Sequence, residues 1–297
     1  MLQTIKKVIP KPVRTKIRRV FPGTVDFINN LGQRSKYFFQ DTMELWTGKR
    51  DPLTPPRRLF FVGNGDFKEI GNEFFNYFVQ LAGLKPHEKV LEVGCGIGRM
   101  AVPLMGYLKD GGTYDGFDIV RSGIRWCQEY ITPRASHFHF RLADIYNSNY
   151  NPAGRFKAVD YRFPYEDGSF DFVFLTSVFT HMLPPDLAHY LSEIRRVLKE
   201  GGRCFITYFL LDKESLEHIN TGASTIDFKY KAAGYEEECR IMDIDIPESA
   251  VAYSLEYIEQ LYKKNRLEIL PPVRSGSWCG RKESFSYQDM MLAGKVY

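Results

Sequence analysis

The sequence predicts an α/β fold: a doubly wound, mostly parallel sheet carrying a helical N-terminal arm and a small β-rich insertion after its fifth strand. Three observations predict it. Short apolar runs alternate with amphipathic stretches from Lys89 to Tyr208, in the order β-α-β-α-β and then β-α-β. The run Phe170-Asp-Phe-Val-Phe-Leu175 is almost continuously apolar, as a strand covered on both faces should be. After Leu211 the alternation gives way to a hairpin pattern. Alternation of this kind implies right-handed crossovers with helices on both faces.

Taken in order, 1–56 reads as a basic arm and linker, with a helix around Asp26 to Trp46 and the linker Asp51-Pro-Leu-Thr-Pro-Pro56. The main domain covers 57–297. Phe67 to Leu81 is a helix, with Ile70, Phe74, Phe78 and Leu81 on one face. Lys89 to Val93 is a strand, Met100 to Leu108 a helix, Gly112 to Asp118 a strand, Ser122 to Tyr130 a helix and His137 to Leu142 a strand. Pro185 to Leu198 is a helix with Leu187, Leu191, Ile194 and Leu198 facing inward. Gly201-Gly202 is expected to cap it before a strand over Arg203 to Tyr208. The segment 212–250 is an insertion on the acceptor side, with a hairpin over Thr225 to Met242. A helix over Tyr253 to Lys264 and strands near Leu267 to Leu270 and Gln288 to Ala293 finish the domain.

Charge narrows the partners. Seven basic residues and no acidic ones fall between Met1 and Val25; removing them from a net +4 leaves the remainder at −3. A mildly acidic body is no footprint for nucleic acid. The arm is a solvated tail or makes peripheral contact with an anionic membrane. No stretch is long and apolar enough to span a bilayer. The five cysteines are widely spaced with no CxxC, which suits a reducing, cytoplasmic setting without disulfides or a zinc site. No metal site is expected.

The chemistry-bearing segment is Val90-Leu-Glu-Val-Gly-Cys-Gly-Ile-Gly-Arg-Met100. An apolar strand ends beside Glu92, turns through Gly94, Cys95, Gly96 and Gly98, and opens a helix. A nicotinamide cofactor would want GxGxxG with a pyrophosphate on the helix N-terminus. Here the spacing is GxGxG, and Arg99 stands where that fingerprint has its third glycine. Glu92 would repel a diphosphate and favour a cationic amino end, such as that of a methionine moiety. Asp118 closes the second strand, placed to accept from two ribose hydroxyls. Asp144 follows the third, placed to accept from an adenine amino group, and Ile119 and Ile145 sit beside these to pack on the adenine faces. Taken singly, Asp118 also reads as a helix cap and Asp144 as a turn residue.

Together these residues resemble the class I S-adenosylmethionine-dependent methyltransferases, of the small-molecule and glycan type. The resemblance covers Val90 to Tyr208. Val90 to Gly98 is similar to the family's first motif, Tyr114 to Asp118 to its ribose strand end, and Ala143-Asp144-Ile145 to its adenine motif. Phe163-Pro164-Tyr165 through Asp171 and Arg196 to Arg203 are similar to its entries into strands four and five. The resemblance implies a Rossmann-like seven-stranded sheet with its last strand antiparallel, and S-adenosyl-L-methionine as cosubstrate.

Leu175-Thr-Ser-Val-Phe-Thr-His-Met182 should lie at the donor mouth. His181 reads as a general base, or as a packing or capping residue; Thr176 and Ser177 read as donor lining or plain strand-end residues. Phe61 to Asp66 reads as a lid or an ordinary turn, and Arg99 as an anion binder or a solvated surface residue. Trp278, Arg281 and Asp289 read as a sugar clamp or as packing. The acceptor expected is a sugar, a glycan end or another small polar hydroxyl. Alternatives are a lipid-like or polyketide-like hydroxyl, a Rossmann-type oxidoreductase, and a donor-binding protein without turnover.

Overall fold

A computed structural model describes residues 37–296 except 45, 49, 62, 64 and 149. It divides into two compact units, Met1–Gly63 and Asn64–Tyr297. The basic run of 1–25 lies outside the described residues, and so does the first part of the helix expected from Asp26. In the first unit a helix covers 37–44. Asp41 on that helix is buried and accepts from the N–H groups of Arg57 (2.8 Å) and Arg58 (3.3 Å). One carboxylate thus fastens the end of the proline-rich linker to the helix.

The second unit holds strands β1 (Lys89–Val93), β2 (Thr113–Asp118), β3 (Phe138–Leu142), β4 (Phe170–Leu175), β5 (Leu198–Tyr208), β10 (Leu267–Ile269) and β11 (Asp289–Lys295) in one seven-stranded sheet. Their order is β10-β11-β5-β4-β1-β2-β3. Strands β1 to β5 run parallel, and β11 is antiparallel to both its neighbours, β5 and β10. The carboxyl ends of β1 to β5 therefore share one edge, and the strand order reverses between β1 and β4. Ligands on such sheets bind at that switch point.

Helices α1 (Phe67–Gln80), α2 (Ala101–Leu104), α3 (Arg121–Tyr130), α4 (Pro184–Val197), α5 (Lys213–Thr221) and α6 (Leu255–Lys264) accompany the strands. Asp66 caps α1 by accepting from Lys68 and Glu69 N–H, and α4 opens with Pro184 in its first turn. Leu187, Leu191 and Ile194 of α4 are fully buried with Leu91, Val173 and Ile206 of the sheet. Burying each such side chain stabilises by about 1.5–3 kcal/mol.

A second sheet, ordered β6-β9-β8-β7, is built from β6 (Leu210–Leu211), β7 (Tyr230–Ala232), β8 (Tyr235–Ile241) and β9 (Val251–Ser254). The expected hairpin is β7–β8, turned at Gly234, which has φ of +78°.

Four details depart from the sequence reading. Gly201 and Gly202 do not cap α4. Leu198 ends the helix in extended conformation and already pairs with Phe170, and the glycines lie in a register shift before Arg203 meets Phe172. The helix expected from Met100 to Leu108 is only the four-residue α2, which gives way to a turn over 105–107 that contains Gly106. The helix expected from Tyr253 starts at Leu255, since Val251 to Tyr253 pairs with β8 and Ser254 with Leu211 of β6. Finally, α5 was not expected at all, although Asp212 and Ser215 form a reciprocal capping box at its start.

Candidate donor and acceptor site

The glycine turn is sewn to the end of β2. Gly94 and Cys95 both donate to the Phe117 carbonyl, at 2.9 and 3.0 Å, and Gly96 N–H donates to Asp118 Oδ2 at 2.8 Å. Asp118 Oδ1 accepts from Val120 N–H at 2.7 Å. Gly94 has φ of +79°, and a Cβ there would stand 2.3 Å from Val178 Cγ2 in the segment after β4. At Gly98, with φ of +77°, a Cβ would meet Ile131 Cδ1 at 2.6 Å. At both positions the positive φ and the close neighbour require glycine, so the turn packs directly against Val178 and Ile131. The short α2 does not offer the helix N-terminus that the sequence reading invoked.

Glu92 is deeper than expected, at 1% exposure, and accepts a hydrogen bond from the Tyr114 hydroxyl. Gly116, paired with Glu92 across the strands, makes this possible: a Cβ there would sit 2.8 Å from that hydroxyl. Burial pushes the Glu92 carboxyl up to about 8, while the Tyr114 bond works the other way. Burial also raises Asp118, to about 6, against the bonds from Val120 and Gly96. Burial thus favours the protonated form of Glu92, which is enclosed and no open negative patch.

Asp144 is half-exposed after β3 and ion-paired with Arg155, which holds it below the usual carboxylate range. Ile145 is buried at 3% exposure, whereas Ile119 and Thr176 are half-buried near the carboxyl edge. Ser177, at the end of β4, has φ of +59°, held by its N–H to Thr207 Oγ1 (2.8 Å) and its hydroxyl to Gln288 Oε1 (2.9 Å). Arg99 is nearly buried, close to Asp66, so it is not a solvated surface residue. In the lid segment Val62 and Asn64 lie outside the described residues, while Asp66 caps α1.

His181 closes a 3-10 turn, Phe179–His181, and is half-buried. Its Nδ1 is 3.0 Å from the Glu248 carbonyl oxygen. A carbonyl only accepts, so a neutral ring carries its proton on Nδ1 and leaves Nε2 as an acceptor. Burial lowers its pKa below the ordinary 6.5. Tyr150 meets the ring edge-on at 5.7 Å between centroids. Tyr150, Ser148 and Glu248 escaped sequence reasoning, because they reach His181 from 31 to 67 residues away and belong to no motif.

The sugar clamp is overturned. Trp278 is completely buried, and its indole N–H donates to Asp289 Oδ2 at 2.6 Å. Asp289 also accepts from Leu210 N–H, Gly276 N–H and Arg281, and Arg281 bonds Glu214 and Asp212. This network joins α5 to β11 and has no face left for a ligand. Among the described residues no cluster of His, Cys, Asp and Glu suits a metal, all five cysteines are free and buried, and no helix is long and apolar enough to cross a membrane.

Comparison with known proteins agrees with this geometry. Residues 91–206 match the family described as "Methyltransferase domain". A sterol 24-C-methyltransferase from Gibberella zeae is 34% identical over 130 residues, covering 43% of this chain and 29% of that protein. The methyltransferase GfsG from Streptomyces halstedii is 28% identical over 140 residues, covering 46% of this chain and 44% of that one. The chain thus spans less than half the length of these relatives. A solved structure from Pyrococcus horikoshii matches at a TM-score of 0.54 and 18% identity, over 80% of this chain and 94% of that one. The [4+2]-cyclase SpnF matches at 0.50 and 14%, over 79% and 84%. The last two show the fold alone. The matched segment, the strand order and the glycine turn sewn to an acidic strand end agree: residues 91–206 are similar to a methyltransferase domain, and the sheet that holds them has the Rossmann-like form of the class I S-adenosylmethionine-dependent methyltransferases.

Proposed function

We propose that this protein transfers the methyl group of S-adenosyl-L-methionine to a hydroxyl of a small molecule. The observation that carries this is the Gly96–Asp118 bond, which presents a glycine backbone and a ribose-competent carboxylate as one unit. The residues fit the cosubstrate. Gly94, Gly96 and Gly98 leave the turn without side chains at three positions, the Cys95 side chain is buried, and the Asp118 oxygens keep lone pairs for ribose hydroxyls. Glu92 gives up its proton to meet an ammonium group. Ile119 and Ile145 flank the adenine position, Asp144 accepts from its amino group beside Arg155, and Thr176 lines the mouth.

When bound, the cosubstrate supplies a methyl already made electrophilic by its sulfonium. The protein's task is then to hold the acceptor in line and take up the hydroxyl proton. His181 Nε2 receives that proton, and burial of the ring keeps it neutral beforehand. Incubating the protein with methyl-labelled donor and a panel of hydroxyl acceptors, read by mass spectrometry, tests this. The expected result is a labelled acceptor with equimolar S-adenosylhomocysteine; donor binding with no turnover on any acceptor would favour a scaffold.

For the acceptor, a sugar or glycan end rests on the family resemblance alone once Trp278 is buried. A second reading has an observation in its favour: Met242, Ile244 and Ile246, in the segment leading to Glu248, are exposed apolar side chains, as are Tyr146 and Phe156 on the loop of Ser148. Such a rim suits a lipid-like or polyketide-like hydroxyl, and one relative above acts on sterols by its name. Comparing turnover on a free sugar with turnover on an alkyl-chain alcohol separates the two.

Peripheral membrane contact through the first unit is proposed on a further observation. Phe38, Phe39 and Trp46 are exposed there, beyond the seven basic residues of the arm. Flotation with vesicles containing phosphatidylserine should be lost on deleting 1–46; equal flotation of the truncated chain would remove the idea.

A further inference from the structure

Three separated segments meet at His181, and one residue joins them. The Glu248 carbonyl oxygen takes the Nδ1 side of the ring at 3.0 Å. The Glu248 carboxylate takes the Ser148 N–H at 3.1 Å and the Ser148 hydroxyl. Ser148 lies two residues before Tyr150, whose ring covers the imidazole edge and whose N–H donates to Asn147 Oδ1 at 2.9 Å. Glu248 therefore grips the base with its main chain and the covering loop with its side chain.

We propose that Glu248 is a positioning residue: a clasp between the turn Pro247–Ser249 and the loop over 145–151 that fixes His181 as the Nδ1–H tautomer with Nε2 free to accept a proton. This deepens the reading of His181 as base and rests on it for its catalytic meaning. The clasp acts by geometry and by excluding water. Burial disfavours the imidazolium and is the largest effect, while the main-chain bonds from Glu248 and Ser249 and, after them, the Glu248 charge favour it. The other ionisable groups facing this corner are Tyr150, which senses Asp118, and Asp186 on α4, which senses Glu248.

The opposition gives a test by sign. In Glu248→Ala, loss of charge alone would lower the His181 pKa further. Loss of the clasp lets water in and raises it toward 6.5. The full chain, labelled with 15N, is titrated by long-range 15N–1H spectra of the imidazoles, with His181 assigned from His181→Gln. The expected result is an Nδ1–H tautomer in the parent protein. Glu248→Ala should raise the pKa and mix the tautomers; Glu248→Gln, whose amide oxygen still accepts from Ser148, should restore the tautomer and bring the pKa back to or below the parent's, because only the charge is lost. Ser148→Ala, which keeps only the main-chain bond, should shift the same way by less and serves if Glu248→Ala fails to fold. An Nε2–H tautomer in the parent, or a pKa that falls or stays fixed in Glu248→Ala and Ser148→Ala, overturns the clasp. Full activity of His181→Ala would instead overturn the base assignment while leaving the tautomer result standing, so the two failures are distinct.

Discussion

Gly96 N–H donates to Asp118 Oδ2 at 2.8 Å, so the middle of the glycine turn and the acidic end of the second strand are one rigid piece. The pairing gives Asp118 two duties: it holds the turn in shape and keeps lone pairs for a ribose.

Replacing Asp118 by Ala should therefore weaken S-adenosylmethionine binding by about 1–3 kcal/mol, from lost charged hydrogen bonds. Titration calorimetry checks this, and unchanged affinity would count against the ribose role. The variant should also lower the melting temperature, since Gly96 loses its partner.

Glu92 and Asp118 carry a pH signature. Both have folded pKa values raised above their ordinary values of 4.5 and 3.8, to about 8 and about 6. Raised acids bind more protons in the folded state. Their contribution to stability is full below the ordinary values and is lost as pH rises through the folded ones. The melting temperature should fall between about pH 4 and pH 8, and Glu92→Gln should flatten that slope. An unchanged slope in the variant would mean that Glu92 is already ionised.

At Gly94 the barrier is steric. Gly94→Ala places a Cβ against Val178 at positive φ, and should destabilise the fold by roughly 1–3 kcal/mol and abolish donor binding. Adding Val178→Ala removes the clash but not the backbone strain, so recovery should be partial. Full recovery would show that only the contact mattered.

The buried Asp289 network should behave structurally. Asp289→Ala leaves three buried N–H donors without their acceptor, while Arg281 keeps Asp212 and Glu214; it should cost about 3–5 kcal/mol in urea denaturation while leaving donor affinity intact below the transition. A small stability loss with a large change in acceptor KM would restore the clamp reading.

His181→Ala should lower kcat by roughly 10²–10⁴ with the donor still bound. In the parent enzyme the acid limb of the rate profile should fall below pH 6.5, because burial disfavours the imidazolium. A limb above that value would assign the base elsewhere.

Much of the sheet was legible because its signals are local. The strand edges at Lys89, Val93, Phe170 and Leu175 follow from apolar runs, and the turn at Gly94 to Gly98 from its spacing. Sequence failed where a distant partner decided the outcome. Trp278 looks like a ligand-stacking ring until Asp289 is seen to hold its N–H. Glu92 looks exposed to a ligand until Tyr114 reaches it across Gly116. Tyr253 and Ser254 read as the start of a helix until β8 and β6 pair with them. Ser148 and Glu248 are ordinary surface types 100 residues apart, and only the fold brings them over His181.

The most direct measurement is calorimetric binding of S-adenosylmethionine near neutral pH in two buffers of different ionisation enthalpy, for the parent protein and Glu92→Gln. Arrival of the donor's ammonium should strip the buried proton from Glu92. The parent should release protons on binding; the variant should release fewer and bind about tenfold or more weakly, a loss of roughly 1.4 kcal/mol. Equal affinity and equal proton release in the two proteins, or tighter binding of a nicotinamide dinucleotide than of the sulfonium donor, would contradict the account.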